Sequence, residues 1–278
     1  MSNSQDQRGD SPVRVEQAAP GYRRVIFDNP PLNLYDPEVE TALAEAVAEL
    51  EADPGVKVVV FDSAVPQFFM AHLNLGRIEE FGPGMPTWFD LVDRLGRARF
   101  ITVGSLRGRA RGIGNEFLLA VDVRFASREH AVLGQLEIGT GIIPGCGGLQ
   151  RLSRLTGRSR ALEIIASGED YDAETAERYG WINRAVPDAE LDAFVERFAR
   201  RVASFDADAL IAVKELLNQE APAPSAASLA ATHARMVELL DRDFVQERLR
   251  LSAKAAPEAV LDLELHMGER IGSRALQH

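Results

Sequence analysis

The sequence predicts an α/β protein whose last third is helical. Three observations predict it. Residues 56–61 form an almost unbroken, valine-rich apolar run, the pattern of a strand buried on both faces. Short apolar runs of this kind alternate with amphipathic helical stretches up to about residue 147. Beyond Gly148 nearly every segment has helical character.

The elements follow in order. Residues 1–20 are polar and aperiodic and read as a flexible tail. Residues 24–27 read as a strand, ended by Asn29-Pro30-Pro31. Asp36 and Pro37 resemble an N-cap followed by a first-turn proline, and Val39, Leu43, Val47 and Leu50 share one helix face. Asp53-Pro54-Gly55 stops that helix before the strand at 56–61. Residues 76–90, with Gly76, Gly82, Pro83, Gly84 and Pro86, read as a loop carrying Phe81, Met85, Trp88 and Phe89. Strands are expected at 101–106, 123–126 and 131–133, with a helical stretch over 116–121. Helices are then expected over 148–156, 158–167, 173–179, 188–203, 206–218 and 225–250. The organisation is a tail at 1–20, an α/β core at 21–204 and a helical region at 205–278.

Composition narrows the function. A formal net charge of -11 argues against a nucleic-acid backbone or an anionic membrane as partner. No apolar run approaches the roughly 20 residues of a membrane helix. The N-terminus has no apolar core of a secretory signal, so a cytoplasmic protein is expected. The single cysteine, Cys146, rules out an internal disulfide or a Cys-rich metal centre. The five histidines are scattered without ligand spacing, so no metal site is expected.

Common catalytic signatures are missing. Gly112-Ile113-Gly114 lacks the third glycine of a dinucleotide fingerprint, and no phosphate loop of the GxxxxGK[ST] type occurs. Ser105 sits one place early for a nucleophile elbow. Two glycine-rich turns remain, one at 108–114 followed by Glu116, the other at 139–148 preceded by Glu137. If the turns converge, two carboxyls face one space rimmed by backbone N–H groups. That is a base, an acid and an oxyanion site for proton transfer beside a carbonyl. Equally, Glu116 suits a first-turn glutamate favoured by the helix dipole, and Glu137 a surface residue.

These segments resemble the enoyl-CoA hydratase/isomerase (crotonase) superfamily. Gly112-Ile113-Gly114-Asn115-Glu116 is similar to its G-x-G-x-E, and 122–127 to its D-[IL]-R-[IV]-A-S run. Residues 144–152 are similar to P-G-x-G-G-x-x-R-L. Weaker likenesses include Asn33, the segment 69–74, and the runs 161–168 and 173–186. The resemblance implies a spiral of ββα units and C-terminal helices that pack against neighbouring subunits in a homotrimer or hexamer. It implies an acyl-CoA substrate, no separate cofactor, and hydration of a 2-enoyl-CoA thioester, as in fatty acid metabolism. It places the catalytic glutamates at Glu116, mainly the water base, and Glu137, the acid at the α-carbon. The backbone N–H groups of Leu73 and Ile113 become the oxyanion donors. Pro31, Leu32, Ala71, His72, Asn74, Gly112 and Trp88 fall at substrate- and CoA-binding positions. Phe81, Met85, Trp88 and Phe89 suit an apolar acyl wall, and Arg23, Arg24, Arg77 and Arg111 are candidates for the CoA phosphates.

One segment departs from the pattern. Where the family has Ala-Gly-Ala-Asp, this chain has Ala71-His72-Leu73-Asn74. His72 in place of glycine either packs beside an intact turn, adds polar or acid–base chemistry, or damages the oxyanion site. Ile113 likewise stands where a β-branched residue disfavours positive φ. Other family activities therefore stay open: isomerisation, hydrolysis or lysis of a specialised acyl-CoA, or acyl-CoA binding without turnover. Cys146 reads as a small turn residue rather than a nucleophile.

Overall fold

A computed structural model describes residues 11–252 and 257–271. The chain runs β1 (Val13–Ala19), β2 (Tyr22–Phe27), α1 (Pro37–Ala52), β3 (Val58–Ser63), β4 (Phe68–Met70), a 3₁₀ helix (Leu75–Phe81) and α2 (Pro86–Arg97). It continues through β5 (Ile101–Leu106), β6 (Arg109–Arg111), α3 (Ile113–Leu118), β7 (Val123–Ser127), β8 (Val132–Gly134) and α4 (Glu137–Thr140). Next come α5 (Gly148–Thr156), α6 (Arg158–Ser167), β9 (Asp170–Asp172), α7 (Ala173–Tyr179), β10 (Arg184–Val186) and α8 (Asp188–Ala203). The C-terminal region holds α9 (Ala207–Glu220), α10 (Ala226–Leu240), α11 (Asp243–Ser252), α12 (Pro257–Leu265) and α13 (Met267–Arg270).

The strand pairs β3–β4, β5–β6 and β7–β8 each send their first strand to a large sheet and their second to a small one. The large sheet has the order β1-β2-β3-β5-β7-β10 and the small one β4-β6-β8-β9. Within each sheet these successive strands pair in parallel. That is the spiral of ββα units expected from the sequence. Parallel strands covered on both faces read as continuous apolar runs, which is why 56–61 stood out. One face of the large sheet packs on α1, α2 and α3, the other on α8 through Phe125, Phe194 and Phe198.

The small sheet sets the geometry of the site. Because β4 and β6 are adjacent and parallel, residues 71–73 and 112–114 leave the sheet side by side. Gly114 lets α3 lie directly on β4, since a Cβ there would sit 2.2 Å from the Met70 carbonyl oxygen. Phe117 anchors α3 from behind, with ring centroids 5.1 Å from Phe61 and 5.4 Å from Phe27.

Several expectations need correction. Of the expected tail, residues 1–10 lie outside the described residues, and Val13–Ala19 forms β1, antiparallel to β2. An edge strand buries few side chains, here Val13, so its sequence looks polar. The 76–90 loop is a 3₁₀ helix and the start of α2, separated by a turn in which Gly82, Gly84 and Met85 all have positive φ. The single helix at 225–250 is two, α10 and α11, because the break lets Leu240 and Val245 pack on one cluster with Ile142. No described helix is long and apolar enough to cross a membrane. No group of three or more potential metal ligands occurs among the described residues.

The C-terminal helices fold back on their own core. Lys214 of α9 is buried and donates to the Leu95 and Phe100 carbonyls at 3.0 Å each and to Asp122 at 2.8 Å. Removing this amine strands buried acceptors, so Lys214→Ala should lose about 3 kcal/mol of stability in urea unfolding. A loss under about 0.5 kcal/mol, the level of a neutral surface change, would mean that α9 is not anchored there.

Candidate active site

The two glycine-rich turns do converge. Glu116 lies on the first turn of α3 and is 1% exposed. Its Oε1 accepts the backbone N–H of Cys146 at 3.0 Å and of Gly148 at 2.7 Å. The second glycine turn is thus folded around the carboxylate of the first. Gly148 must be glycine, since a Cβ would lie 2.9 Å from that same oxygen. The turn is held from behind: the Trp88 indole donates to the Cys146 carbonyl at 3.0 Å.

Glu137 opens α4 beside this turn. Its Oε1 accepts from Gln135 at 2.7 Å, and its buried Oε2 has no hydrogen-bond partner among the described residues. Gln135 in turn accepts from Asn115, which accepts from the Trp181 indole at 2.9 Å. A relay of buried amides therefore sets the Glu137 side chain from the core. The first turn passes close by: a Cβ on Gly112 would meet Glu137 Oε1 at 3.2 Å and the His72 Cβ at 3.6 Å.

Both carboxyls resist ionisation. Burial raises the Glu116 pKa to about 8, helped by the charge of Glu137 and opposed by its two backbone donors. Burial raises Glu137 to about 7, opposed by its own backbone N–H, by Gln135 and by His72. The pair shares protons near neutrality, with each group's state dependent on the other's. Burial and these same charges push the Cys146 thiol up, in keeping with an inert turn residue.

The backbone rim is equally defined. Tyr35 N–H donates to the His72 carbonyl at 2.9 Å, and Asn74 N–H to the Tyr35 carbonyl at 3.2 Å. In a trans peptide N–H and C=O point oppositely, so the Leu73 N–H faces away from Tyr35. The left-handed backbone falls on Gly112 (φ 49°), and neither His72 nor Ile113 has positive φ. The substitutions at these positions thus impose no strain. Ile113 opens α3, where its N–H has no intrahelical acceptor.

The remaining expected residues divide. Leu32 and Ala71 are buried in a cluster with Phe68, against Val260 and Leu265 of α12, while Pro31 is exposed. Asn74 caps the 3₁₀ helix and donates to Asp36, whose carboxylate also takes Asn29. Asp36 thus stands at the N-cap position without capping α1. Phe81, Met85 and Trp88 are buried behind the second glycine turn beside Tyr35 and Cys146. Phe89 is partly buried and meets His233 edge-on.

The arginines are corrected as CoA candidates, because carboxylates already hold all four. Arg23 pairs with Asp53, Arg24 with Asp62, and Arg77 with Glu38 and Glu80. Arg111 is fully buried and binds Asp170 at 2.8 Å and the Glu264 carbonyl. Sequence reasoning also missed Gln135 and Glu264. Gln135 is two residues from Glu137, a spacing with no recognisable signature, and Glu264 reaches His72 across 192 residues.

Comparison with known proteins gives a coherent set of likenesses. The family model described as enoyl-CoA hydratase/isomerase matches residues 21–252. A Mycobacterium tuberculosis protein assigned as an enoyl-CoA hydratase is 30% identical over 191 residues, 68% of this chain and 74% of that protein. A short-chain-enoyl-CoA hydratase of Clostridium acetobutylicum is 30% identical over 188 residues, 66% of this chain and 70% of its own length. A crystal structure of a Streptomyces avermitilis protein assigned as an enoyl-CoA hydratase superposes with a TM-score of 0.88 at 41% identity, covering 94% of this chain and 96% of that one. A carnitinyl-CoA hydratase structure from Mycobacterium avium gives 0.76 at 26% identity, covering 89% and 98%.

The raised carboxyl pKa values bear on stability. A folded pKa above the ordinary 4.5 contributes stability that is complete below that pH and is lost as pH rises through about 7 and 8. Glu116→Gln keeps an acceptor for both N–H groups but removes one titration. Thermal melts should therefore show the variant gaining on the wild type as pH rises from about 5 to about 9. Parallel curves would mean that Glu116 does not titrate in this range.

Proposed function

The chain belongs to the enoyl-CoA hydratase/isomerase family, and from that premise we propose that it adds water to a 2-enoyl-CoA thioester. The observation that carries the reading is the pair of carboxyls, Glu116 buried and Glu137 half-buried with its Oε2 sealed from solvent, with pKa values raised to about 8 and about 7. Hydration needs one group to take a proton and another to give one. A pair that shares a single proton near neutrality supplies both, reacting from the one-proton form in which Glu137 holds the proton and Glu116, the group with the higher pKa, is ionised.

In the proposed reaction the substrate's thioester oxygen accepts the N–H groups of Leu73 and Ile113. Water, held between the carboxyls, attacks the β-carbon while its proton passes to Glu116. The C=C π electrons move to the thioester, giving an enolate whose oxygen the two N–H groups stabilise. The enolate re-forms the carbonyl as its α-carbon takes a proton from Glu137. One water is consumed and one 3-hydroxyacyl-CoA is formed. The sequence is an addition of water and two proton transfers with no net oxidation or reduction, so no cofactor is required beyond the CoA of the substrate. Ala71, His72, Asn74 and Gly112 border the thioester end and the exposed Pro31 lies further out on the acyl-CoA side, while Leu32 and Trp88 are buried and act from behind, Leu32 in the Phe68 cluster and Trp88 on the Cys146 carbonyl. On α9, the exposed side chains of Val213, Leu216 and Leu217 support a homotrimer or hexamer. A cytoplasmic location fits this reading.

Two measurements test it. Purified protein should remove the enoyl-thioester absorbance of a short 2-enoyl-CoA, and Glu116→Gln and Glu137→Gln should each slow turnover by about 10²–10⁴-fold. Unchanged rates in both variants would remove the mechanism, and a product of unchanged mass would indicate isomerisation. The pH profile of kcat/KM should be a narrow bell, rising through about 7 and falling through about 8. Below both values the pair holds two protons and lacks a base. Above both it holds none and lacks an acid. A profile flat across this range would contradict the shared-proton pair.

A further inference from the structure

His72 stands where the family pattern has glycine, and both of its ring nitrogens are engaged. Nδ1 lies 2.8 Å from the Leu73 carbonyl oxygen and Nε2 2.9 Å from Glu264 Oε1 on α12. A carbonyl can only accept, so Nδ1 carries a proton. Glu264 is 4% exposed, and its Oε2 has no hydrogen-bond partner among the described residues. An ionised carboxylate so buried requires a charged donor. Burial raises the Glu264 pKa, but His72, Arg111 and Arg109 together bring it below its ordinary value. With Glu264 ionised, Nε2 donates to it and the ring is an imidazolium. Burial and the Arg111 charge on β6 pull the His72 pKa down; Glu264 and the Leu73 carbonyl outweigh them. The charge also reaches Glu137 on α4, where it opposes the rise in pKa that burial causes.

We propose that His72 is a positioning residue of the thioester site: an imidazolium clamped between Glu264 and the Leu73 carbonyl, it fixes the backbone at Leu73 and sets a positive charge beside the enolate and Glu137. The proposal rests on the hydratase reading of the same site. The two peptide units that flank the Leu73 Cα are each pinned at their carbonyl, one by Tyr35 N–H and one by the His72 ring. The second pin originates in α12. That helix is itself tied down by Arg111 on the Glu264 carbonyl, by Arg109 on the Leu265 carbonyl at 3.0 Å, and by Val260 and Leu265 packed near Leu32 and Ala71. A C-terminal helix thereby becomes part of the active site.

Nitrogen NMR of the ¹⁵N-labelled full chain reads the charge directly, with His72 assigned from the signals lost in His72→Asn. At about pH 7.5 both His72 nitrogens should resonate as imidazolium, where an ordinary imidazole of pKa about 6.5 is mostly neutral. In Glu264→Gln the ring should become neutral, and kcat on a short 2-enoyl-CoA should fall about 10-fold with little change in KM, the loss of one charge-assisted hydrogen bond. A neutral ring in the wild type overturns the proposal, as does a ring unaffected by Glu264→Gln or a kcat that does not fall. The spectrum needs no substrate, so failure of the hydratase reading and failure of the charged clamp are separate outcomes.

Discussion

The fold is organised around the burial of one carboxylate. Glu116 sits in the interior with its Oε1 closed off by two backbone N–H groups. A bare carboxylate there would cost far more than the domain could sustain; the two backbone donors and the Arg151 charge offset part of that cost, and burial still leaves the pKa at about 8. For both N–H groups to point at one oxygen, the chain must turn sharply, and Gly147 does so at φ 110°. The turn must then be held. Trp88 holds its carbonyl side, and Met236 of α10 presses on Gly145, where a Cβ would lie 2.3 Å from its sulfur. On the other side α3 must lie flush on β4, which Gly114 permits and Phe117 enforces from the aromatic core.

This economy leaves Glu137 to be set by a different device. Among the described residues its Oε1 takes the Gln135 side-chain amide and its Oε2 has no partner, so its charge depends on its surroundings more than that of Glu116. Two carboxyls with unequal support, one braced by backbone and one poised at the end of an amide relay, are a natural way to make a single proton serve both. The loop that bears Glu137 is braced in turn by the C-terminal helices. Ile271 lies against Gly139, and Val245 and Phe244 lie against Gly141. Helices that read in sequence as an appendage therefore form the outer wall of the site.

Arg111 illustrates how charge is spent here. In a chain with net charge -11, a buried arginine is a natural candidate to serve an anionic ligand. Arg111 instead bridges Asp170 on β9 and the Glu264 carbonyl on α12. Its guanidinium is committed to tying the small sheet to the C-terminal helices. A planar fork with five donors suits that bridging role, where a lysine would satisfy fewer acceptors.

Local elements and the chemistry of the turns were legible before any contact between distant segments was known. Helix and strand follow from apolar periods within a dozen residues, so β3, α1, β5 and the helices from α5 to α8 were legible. The two glycine turns and their glutamates were legible because glycine and carboxylate needs are local, and the resemblance to a known family put them together. What only the tertiary structure decided depends on contacts between distant segments. The edge strand β1 is defined by its partner rather than by its own pattern. The helices within 76–90 were masked by turn residues between them. The partners of Arg111 and His72 lie on β9 and α12, and whether a long side chain meets a carboxylate, a carbonyl or solvent is set by how separate units of the spiral pack, which no short window of sequence encodes.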